Sequence, residues 1–475
     1  MIQVLGTSSS AGKSTLTMAL CRYFSNLGLR VSPFKSVNMS LNSIAIGDGI
    51  EISRSVWLQC KAARVDPIKE MNPFLLKPEG MGGSQVITLG ESKGVMAISQ
   101  YRKYMSEVAP DVIKDSILKL SNDFDIIIAE GAGSPAEINL EGYDFANTFV
   151  SDLFDTPCIL ITDIDRGGAF ASLYGTMSLM RGSDHVRWFI INRMSGDSGV
   201  LNSGISRLEN ITGKQSIGVI PKMRYVDLPG EDSLDYLTYG QSSENIAVIR
   251  YPYMENYSDV DPLRLSGIGF SYVDSNNSSL LESSSTIILP GSKNVAKDLE
   301  YLRETSLESS ILKQRSKGCR ILGICGGYQM LGKSINFNEE TDNYLPGLGL
   351  LDCKTVYQKS KTVRKVNGKL NPEVFITDDN FSGYEIHYGS VESSENRFVA
   401  ITESHNEGAV SEDGLVIGTS IHSLLENSTF LKYVTGVKSA YFDYPGILEN
   451  NIEKVTENFI SHMNMGPLVS YIKEK

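Results

Sequence analysis

The stretch GICGGYQMLG, residues 323–332, places one cysteine between an apolar run and a pair of glycines. With the residues before it, CRILGICGGYQML reads as a buried strand, a tight turn carrying Cys325, and a helix that starts near Gly326. A strained strand-to-helix turn presents its side chain, and a helix N-terminus favours a thiolate, so the pattern predicts a nucleophile. A buried small hydrophobe is the commoner fate of a free cysteine; the flanking Gly323, Gly326 and Gly327 argue against it here. A cysteine nucleophile needs a base. Of the five histidines (185, 387, 405, 422 and 462), His422 ends the late apolar run GLVIGTSIHS, and His387 in GYEIHYG is its rival. Backbone donors for an oxyanion are offered by Gly291 and Ser292, which follow a strand in ILPGS (288–292).

The other end of the chain carries a different chemistry. In GTSSSAGKSTL an apolar strand runs into a small-residue loop, and Gly12-Lys13-Ser14-Thr15 opens a helix. Successive backbone N–H groups and a helix N-terminus hold phosphate, Lys13 reaches β and γ oxygens, and Ser14 can bind Mg²⁺. The strict pattern G-x-x-x-x-G-K-[ST] is missed, because Gly6 lies one position early and Thr7 takes the Gly place. An acidic partner is expected at the end of a buried strand, and IIIAE supplies Glu130; Asp163 and Asp165 end the next strand, in TDIDRGG. Either aspartate could instead cap a turn. Lys35, in PFKS, is a second cationic candidate or a solvated surface lysine.

Between and after these sites, short β-branched runs recur: IQVLG, FDIIIAEGAG, PCILITDID, WFIINR and IGVIP, then IAVIRYP, STIILPGS, CRILGICGG and GLVIGTSIHS. Such runs, separated by stretches long enough for crossover helices, predict α/β folds with parallel sheets. With 475 residues, two domains are expected, and the polar stretch 231–245 separates 1–235 from 246–475. The asparagine-, lysine- and aspartate-rich segment 335–380 is expected to be a loop-bearing insertion. Six cysteines without a C-x-x-C pair point away from zinc or a disulfide framework and toward a reducing cytoplasm. A net charge of −12 with no Lys/Arg block disfavours nucleic acid, and no segment reads as a signal peptide or membrane span.

Taken in order, the runs TSSSAGKS, PFKSVNMSLNS, MNPFLLKP, SQVITLG, EGAGSPAEINL, DIDRGGAFA, IINR, LPGSKN, GICGGYQMLG, PGLGLLD, GYEIHYG and GTSIHSLLEN resemble the cobyric acid synthase family, glutamine-dependent amidotransferases of corrinoid biosynthesis. The resemblance spans both domains. It implies an N-terminal P-loop, dethiobiotin-synthetase-like parallel-sheet domain and a C-terminal class I glutamine amidotransferase-like α/β domain. The implied reaction uses ATP, Mg²⁺ and L-glutamine to amidate the b, d, e and g carboxylates of adenosylcobyrinic acid a,c-diamide. Cys325 would form a γ-glutamyl thioester with His422 as base and acid. Ser10, Ala11, Gly12, Lys13, Ser14 and Thr15 match the family's nucleotide loop, Glu130 its metal-binding acid, and Lys35 its phosphoryl-binding lysine. Asn192, in IINR, takes the place of an adenine-reading asparagine. NMSLNS (38–43) and SQVITLG (84–90) are implied as corrin contacts.

Three departures qualify the resemblance. Ser10 stands where the family loop usually has aspartate, so metal binding should lean on Ser14, Glu130, Asp163 or Asp165. The run RYPYMENYSD (250–259) lacks a histidine usual at that place. No glutamate stands two residues after His422, and Glu426 lies two positions too far, so a Cys–His dyad is the expectation. Alternative readings are the neighbouring a,c-diamide synthase or another two-domain amidoligase, and more remotely an ATP-switch protein without enzymatic activity. The sequence leaves the oligomeric state open.

Overall fold

The computed structural model describes all residues except 80–81, 141, 224–225, 227, 230–237, 240–244, 338–343, 378, 438–441 and 475. The expected separator 231–245 therefore lies almost wholly outside the described residues. The chain forms two compact units, Met1–Ser40 with Glu51–Glu231 and Leu448–Lys475, and Leu41–Ile50 with Asp232–Ile447. Two segments thus depart from a single division near residue 240: ten residues of the N-terminal part belong to the second unit, and the last 28 belong to the first.

In the first unit β1 (Ile2–Gly6), β2 (Val31–Phe34), β3 (Ile126–Glu130), β4 (Cys158–Asp163), β5 (Val186–Met194) and β6 (Gln215–Pro221) form one sheet. Its order is β6-β5-β4-β1-β3-β2, and all its pairings are parallel. The interior strands β1, β3 and β4 are buried on both faces, as a sheet covered by helices on either side requires; Leu5, Leu160, Phe189 and Ile191 meet Leu173 and Met177 in one core cluster. Because β1 is central, its C-terminal end places the small-residue loop in mid-sheet, before helix α1 (Lys13–Asn26). A second sheet, of four strands, joins Val37–Met39, Phe74–Glu79, Gly83–Thr88 and Glu91–Ala97. The C-terminal segment is latched to α1: the fully buried Arg22 guanidinium donates to Glu449 at 2.5 and 2.7 Å and to Glu453 at 3.0 Å.

In the second unit β7 (Ile246–Ile249), β8 (Phe270–Val273), β9 (Thr286–Leu289), β10 (Arg320–Ile324) and β13 (Val416–Thr419) stack in parallel in the order β8-β7-β9-β10-β13. Short antiparallel strands flank both edges. The 335–380 region is more ordered than a loop-bearing insertion. It holds β11 (Cys353–Leu370), the first strand of a long antiparallel hairpin whose second strand is β12 (Asn380–Ser393). Leu41–Ile50 belongs here because it lies against that hairpin, with the Gly49 N–H donating to the Val363 carbonyl at 2.8 Å.

Candidate functional site

Cys325 follows β10 at φ +52°, ψ −108°, and the short helix α2 (Gly326–Leu331) begins at the next residue. A non-glycine residue in this region is strained. The strain is held by packing and bonds: the Cys325 N–H donates to Thr419 O on β13 at 2.8 Å, and its carbonyl accepts from Gln329 N at 3.0 Å. The thiol is 8% exposed and points its S–H at the Ile386 carbonyl of β12, 3.6 Å away. The turn expected from the sequence is the turn observed.

His422 follows β13 and is fully buried. Cys325 lies close enough to the ring to favour its charged form. Its Nδ1 lies 2.7 Å from Asp259 Oδ2, and Asp259 Oδ1 accepts the Ser423 N–H at 2.9 Å. Tyr384 stacks on the imidazole at 4.9 Å between centroids and 16° between planes. Burial works against a charge on the ring, but the bonded Asp259 carboxylate and the Cys325 thiol outweigh it and carry His422 from 6.5 to about 10. A Cys–His–Asp arrangement therefore replaces the expected dyad. Asp259 lies at the end of RYPYMENYSD, 163 positions before the histidine it orients. His387, the rival base, sits on β12 with Nε2 3.8 Å from Glu385 Oε2.

Gly291 and Ser292 form a two-residue strand paired with Met254–Glu255. That strand passes close to the elbow: a Cβ built on Gly326 would lie 2.6 Å from Ser292 N, and one on Gly291 would lie 3.6 Å from His422 Cε1. The Gly291–Ser292 backbone, the Cys325 turn and His422 thus share one small space. Asp298 pins the loop, accepting from Ser292 Oγ at 2.5 Å and from Tyr253 N at 3.0 Å; burial, only partly offset by these donors, pushes its carboxyl up to about 6.

In the first unit the loop between β1 and α1 turns through Ser10 at φ +59° and Gly12 at φ +106°. Left-handed residues alternating with ordinary ones let successive backbone N–H groups turn to one side, as in anion nests. A Cβ on Gly12 would lie 2.2 Å from Asn192 Nδ2, so only glycine fits. Lys13 Nζ folds onto the carbonyls of Ser8 and Gly133 at 2.9 and 2.8 Å. Glu130, 2% exposed, gathers three donors: Ser14 Oγ and Lys35 Nζ on Oε1 at 2.5 and 2.7 Å, and Gln59 Nε2 on Oε2 at 2.5 Å. Lys35 is therefore a buried member of this cluster and not a surface lysine; Gln59 had no motif to mark it.

A hydroxyl and a carboxylate 2.5 Å apart beside an anion nest suit a hard divalent cation such as Mg²⁺, which takes one or two protein oxygens and keeps phosphate and water for the rest. Asp163 and Asp165 are committed differently, to Arg193 at 2.7 Å and Lys222 at 2.6 Å. Among the described residues no group of three or more His, Cys, Asp or Glu could hold a metal by itself. Asn192 spends its amide on the Ala11 carbonyl at 3.0 Å and its oxygen on Arg193 N–H at 2.9 Å, bracing the loop from β5. No described helix is long and apolar enough to cross a membrane.

Comparison with known proteins agrees with this division of chemistry. Residues 2–234 match the family described as CobQ/CobB/MinD/ParA nucleotide binding domain, and residues 245–430 match the CobB/CobQ-like glutamine amidotransferase domain. A protein of Picrophilus torridus named "Probable cobyric acid synthase" is 53% identical over 458 residues, 95% of each chain. One of the same name from Thermoplasma acidophilum is 46% identical over 475 residues, the whole of both chains. A "Cobyric acid synthase" of Vibrio campbellii is 38% identical over 97% of this chain and 99% of its own. The two matched domains and these near full-length identities lead to one conclusion: the chain belongs to the cobyric acid synthase family.

Proposed function

We propose that this chain uses ATP and glutamine to amidate the b, d, e and g carboxylates of adenosylcobyrinic acid a,c-diamide, yielding adenosylcobyric acid. The observation that carries the reading is the elbow at Cys325 beside His422, which Asp259 holds by Nδ1, in the same chain as a P-loop whose Ser14 meets Lys35 on Glu130.

At the elbow, the Cys325 sulfur attacks the glutamine side-chain carbonyl, and the resulting oxyanion faces the Gly291–Ser292 backbone. His422, holding the thiol proton on Nε2, delivers it to the departing ammonia, leaving a γ-glutamyl thioester. The same nitrogen then takes a proton from water, and hydrolysis releases glutamate. Asp259 keeps Nδ1 protonated throughout, which aims the Nε2 lone pair at the reacting atoms. In the other unit a corrinoid carboxylate attacks the γ-phosphorus of ATP, ADP leaves, and ammonia displaces phosphate from the acyl phosphate. Lys13 and Lys35 neutralise charge on the transferring group. Ser14 and Glu130 would hold Mg²⁺, which would supply further neutralisation when bound. The phosphoryl step is needed because a carboxylate is a poor acceptor for ammonia at neutral pH.

The test is mass spectrometry of the product formed from adenosylcobyrinic acid a,c-diamide with ATP and glutamine. Conversion of four carboxylates to amides supports the proposal; an unmodified corrinoid refutes it.

A further inference from the structure

One short turn addresses both nitrogens of the His422 imidazole. Asn256 stands at φ +52°, a left-handed conformation that asparagine tolerates, and opens the 3₁₀ turn Tyr257–Val260. The Asp259 N–H closes that turn on the Asn256 carbonyl at 3.1 Å. From its far end Asp259 takes Nδ1; from its near end Asn256 Nδ2 lies 3.4 Å from Nε2. The amide cannot be read the other way round, because the Ser43 N–H donates to Asn256 Oδ1 at 3.1 Å. The NH₂ group, a donor only, is thereby left facing the ring. Asn256 is 2% exposed and Ser43 fully buried, both in the second unit. A donor against Nε2 is satisfied by a lone pair there and opposed by an N–H. Yet Nε2 is the nitrogen that must receive the Cys325 proton, since Nδ1 is committed to Asp259.

We infer that Asn256 is a positioning residue that restrains the Cys325–His422 pair in its uncharged form, and that glutamine turnover requires this contact to be given up. The inference rests on the Cys–His glutaminase reading above. When the pair ionises, the thiol proton moves to Nε2, leaving thiolate and imidazolium, and the Nδ2–H···Nε2 bond is lost to two N–H groups facing each other. The charged or ionisable groups that perturb the ring, Asp259 on Nδ1 and Cys325, both favour its cation, and Tyr384 stacks on its face. Asn256 acts in the opposite sense. Its contact is long for a hydrogen bond, so the effect is a several-fold one, roughly three- to tenfold, and not orders of magnitude.

The experiment follows alkylation of Cys325 by iodoacetamide as a function of pH, read by mass spectrometry on the full chain, in wild type, Asn256→Ala, Asn256→Asp and His422→Ala. Thermal unfolding checks that each variant is folded, and Asn256→Ala alone suffices if the aspartate variant is not. Asn256→Ala is expected to lower the pH of half-maximal alkylation by about half a unit to one unit, a three- to tenfold faster reaction on the acid side. Asn256→Asp is expected to lower it further, because its carboxylate accepts from Nε2–H. Profiles of the Asn256 variants that superimpose on wild type, or move to higher pH, while His422→Ala moves the profile, overturn the restraint and leave the glutaminase reading intact. A profile that His422→Ala does not move overturns the Cys–His reading and the restraint with it.

Discussion

Replacing Asp259 by asparagine removes one negative charge from a buried site while keeping the side chain's volume. The carboxylate is 4% exposed and His422 fully buried, with Nδ1 and Oδ2 2.7 Å apart. Two unit charges about 4 Å apart interact by about 4 kcal/mol at an effective dielectric of about 20, which is roughly a thousandfold in the imidazolium that must form. A second effect adds to the first. The Ser423 N–H continues to demand the remaining oxygen, so the new NH₂ faces Nδ1 and forces its lone pair there. The proton then sits on Nε2, and the base points the wrong way. Glutamate release should fall by about 10³-fold or more, while amidation driven by high ammonia stays near wild type. A loss smaller than tenfold, or a parallel loss of ammonia-driven amidation, refutes the assignment. The pH sign is also fixed. His422 is raised from 6.5 to about 10, so its contribution to stability is full below about 6.5 and is lost as pH rises through 10. Its ceiling is about 5 kcal/mol. The stability gap between wild type and Asp259→Asn should therefore narrow between pH 6.5 and 10, as thermal unfolding at the two ends will show.

Cys325→Ala should abolish glutamine use and spare ammonia-driven amidation, whereas Lys13→Ala should abolish amidation from either nitrogen source; glutamate and corrinoid products measured side by side check both. Asn192→Ala removes the brace on the Ala11 carbonyl and should weaken nucleotide binding about tenfold, one hydrogen bond's worth, with glutamate release unchanged; calorimetric titration with an ATP analogue reads it. Arg22→Ala removes a fully buried side chain and its hydrogen bonds, while the half-exposed Glu449 and Glu453 keep Arg64 as a partner; it should destabilise the first unit by about 2 kcal/mol, through lost packing and hydrogen bonds, seen as a lower denaturant midpoint. Glu407 is buried, and desolvation, only partly offset by Ser420 N–H and Thr419 Oγ1, raises it from 4.5 to about 7. A raised carboxyl favours the protonated fold, so stability falls as pH climbs from about 4.5 to about 7, by up to about 3 kcal/mol. Glu407→Gln should flatten that slope in unfolding curves taken across the same range.

The elbow and the phosphate loop were legible because each is written in consecutive residues: a β-branched strand, glycines where backbones crowd, then a helix. Glu130 was legible for a related reason, since a carboxylate ending a buried strand has few other uses. Asp259 was not, because its relation to His422 exists only after β7, β10 and β13 are aligned, and the usual local spacing is absent. The carboxylates of Asp163 and Asp165 look like metal ligands in TDIDRGG. Arg193 and Lys222, brought in by neighbouring strands, show where their charge goes. The 335–380 segment misled because long hairpin strands with both faces polar lack the apolar alternation that marks a half-buried strand. Burial along β11 is indeed sparse.

The excursion Leu41–Ile50 has a consequence for how such a chain could be shuffled or split. The glutaminase fold is not one uninterrupted stretch of the gene: it borrows Ser43, which orients Asn256, from a position more than two hundred residues upstream. The first unit in turn recovers its latch on Arg22 from the final helices. No single cut therefore yields two self-sufficient halves. A recombination event at the 235–246 boundary would import the equivalents of Cys325, His422 and Asn256 but keep the host's residue at the place of Ser43, so the two must evolve as a matched set.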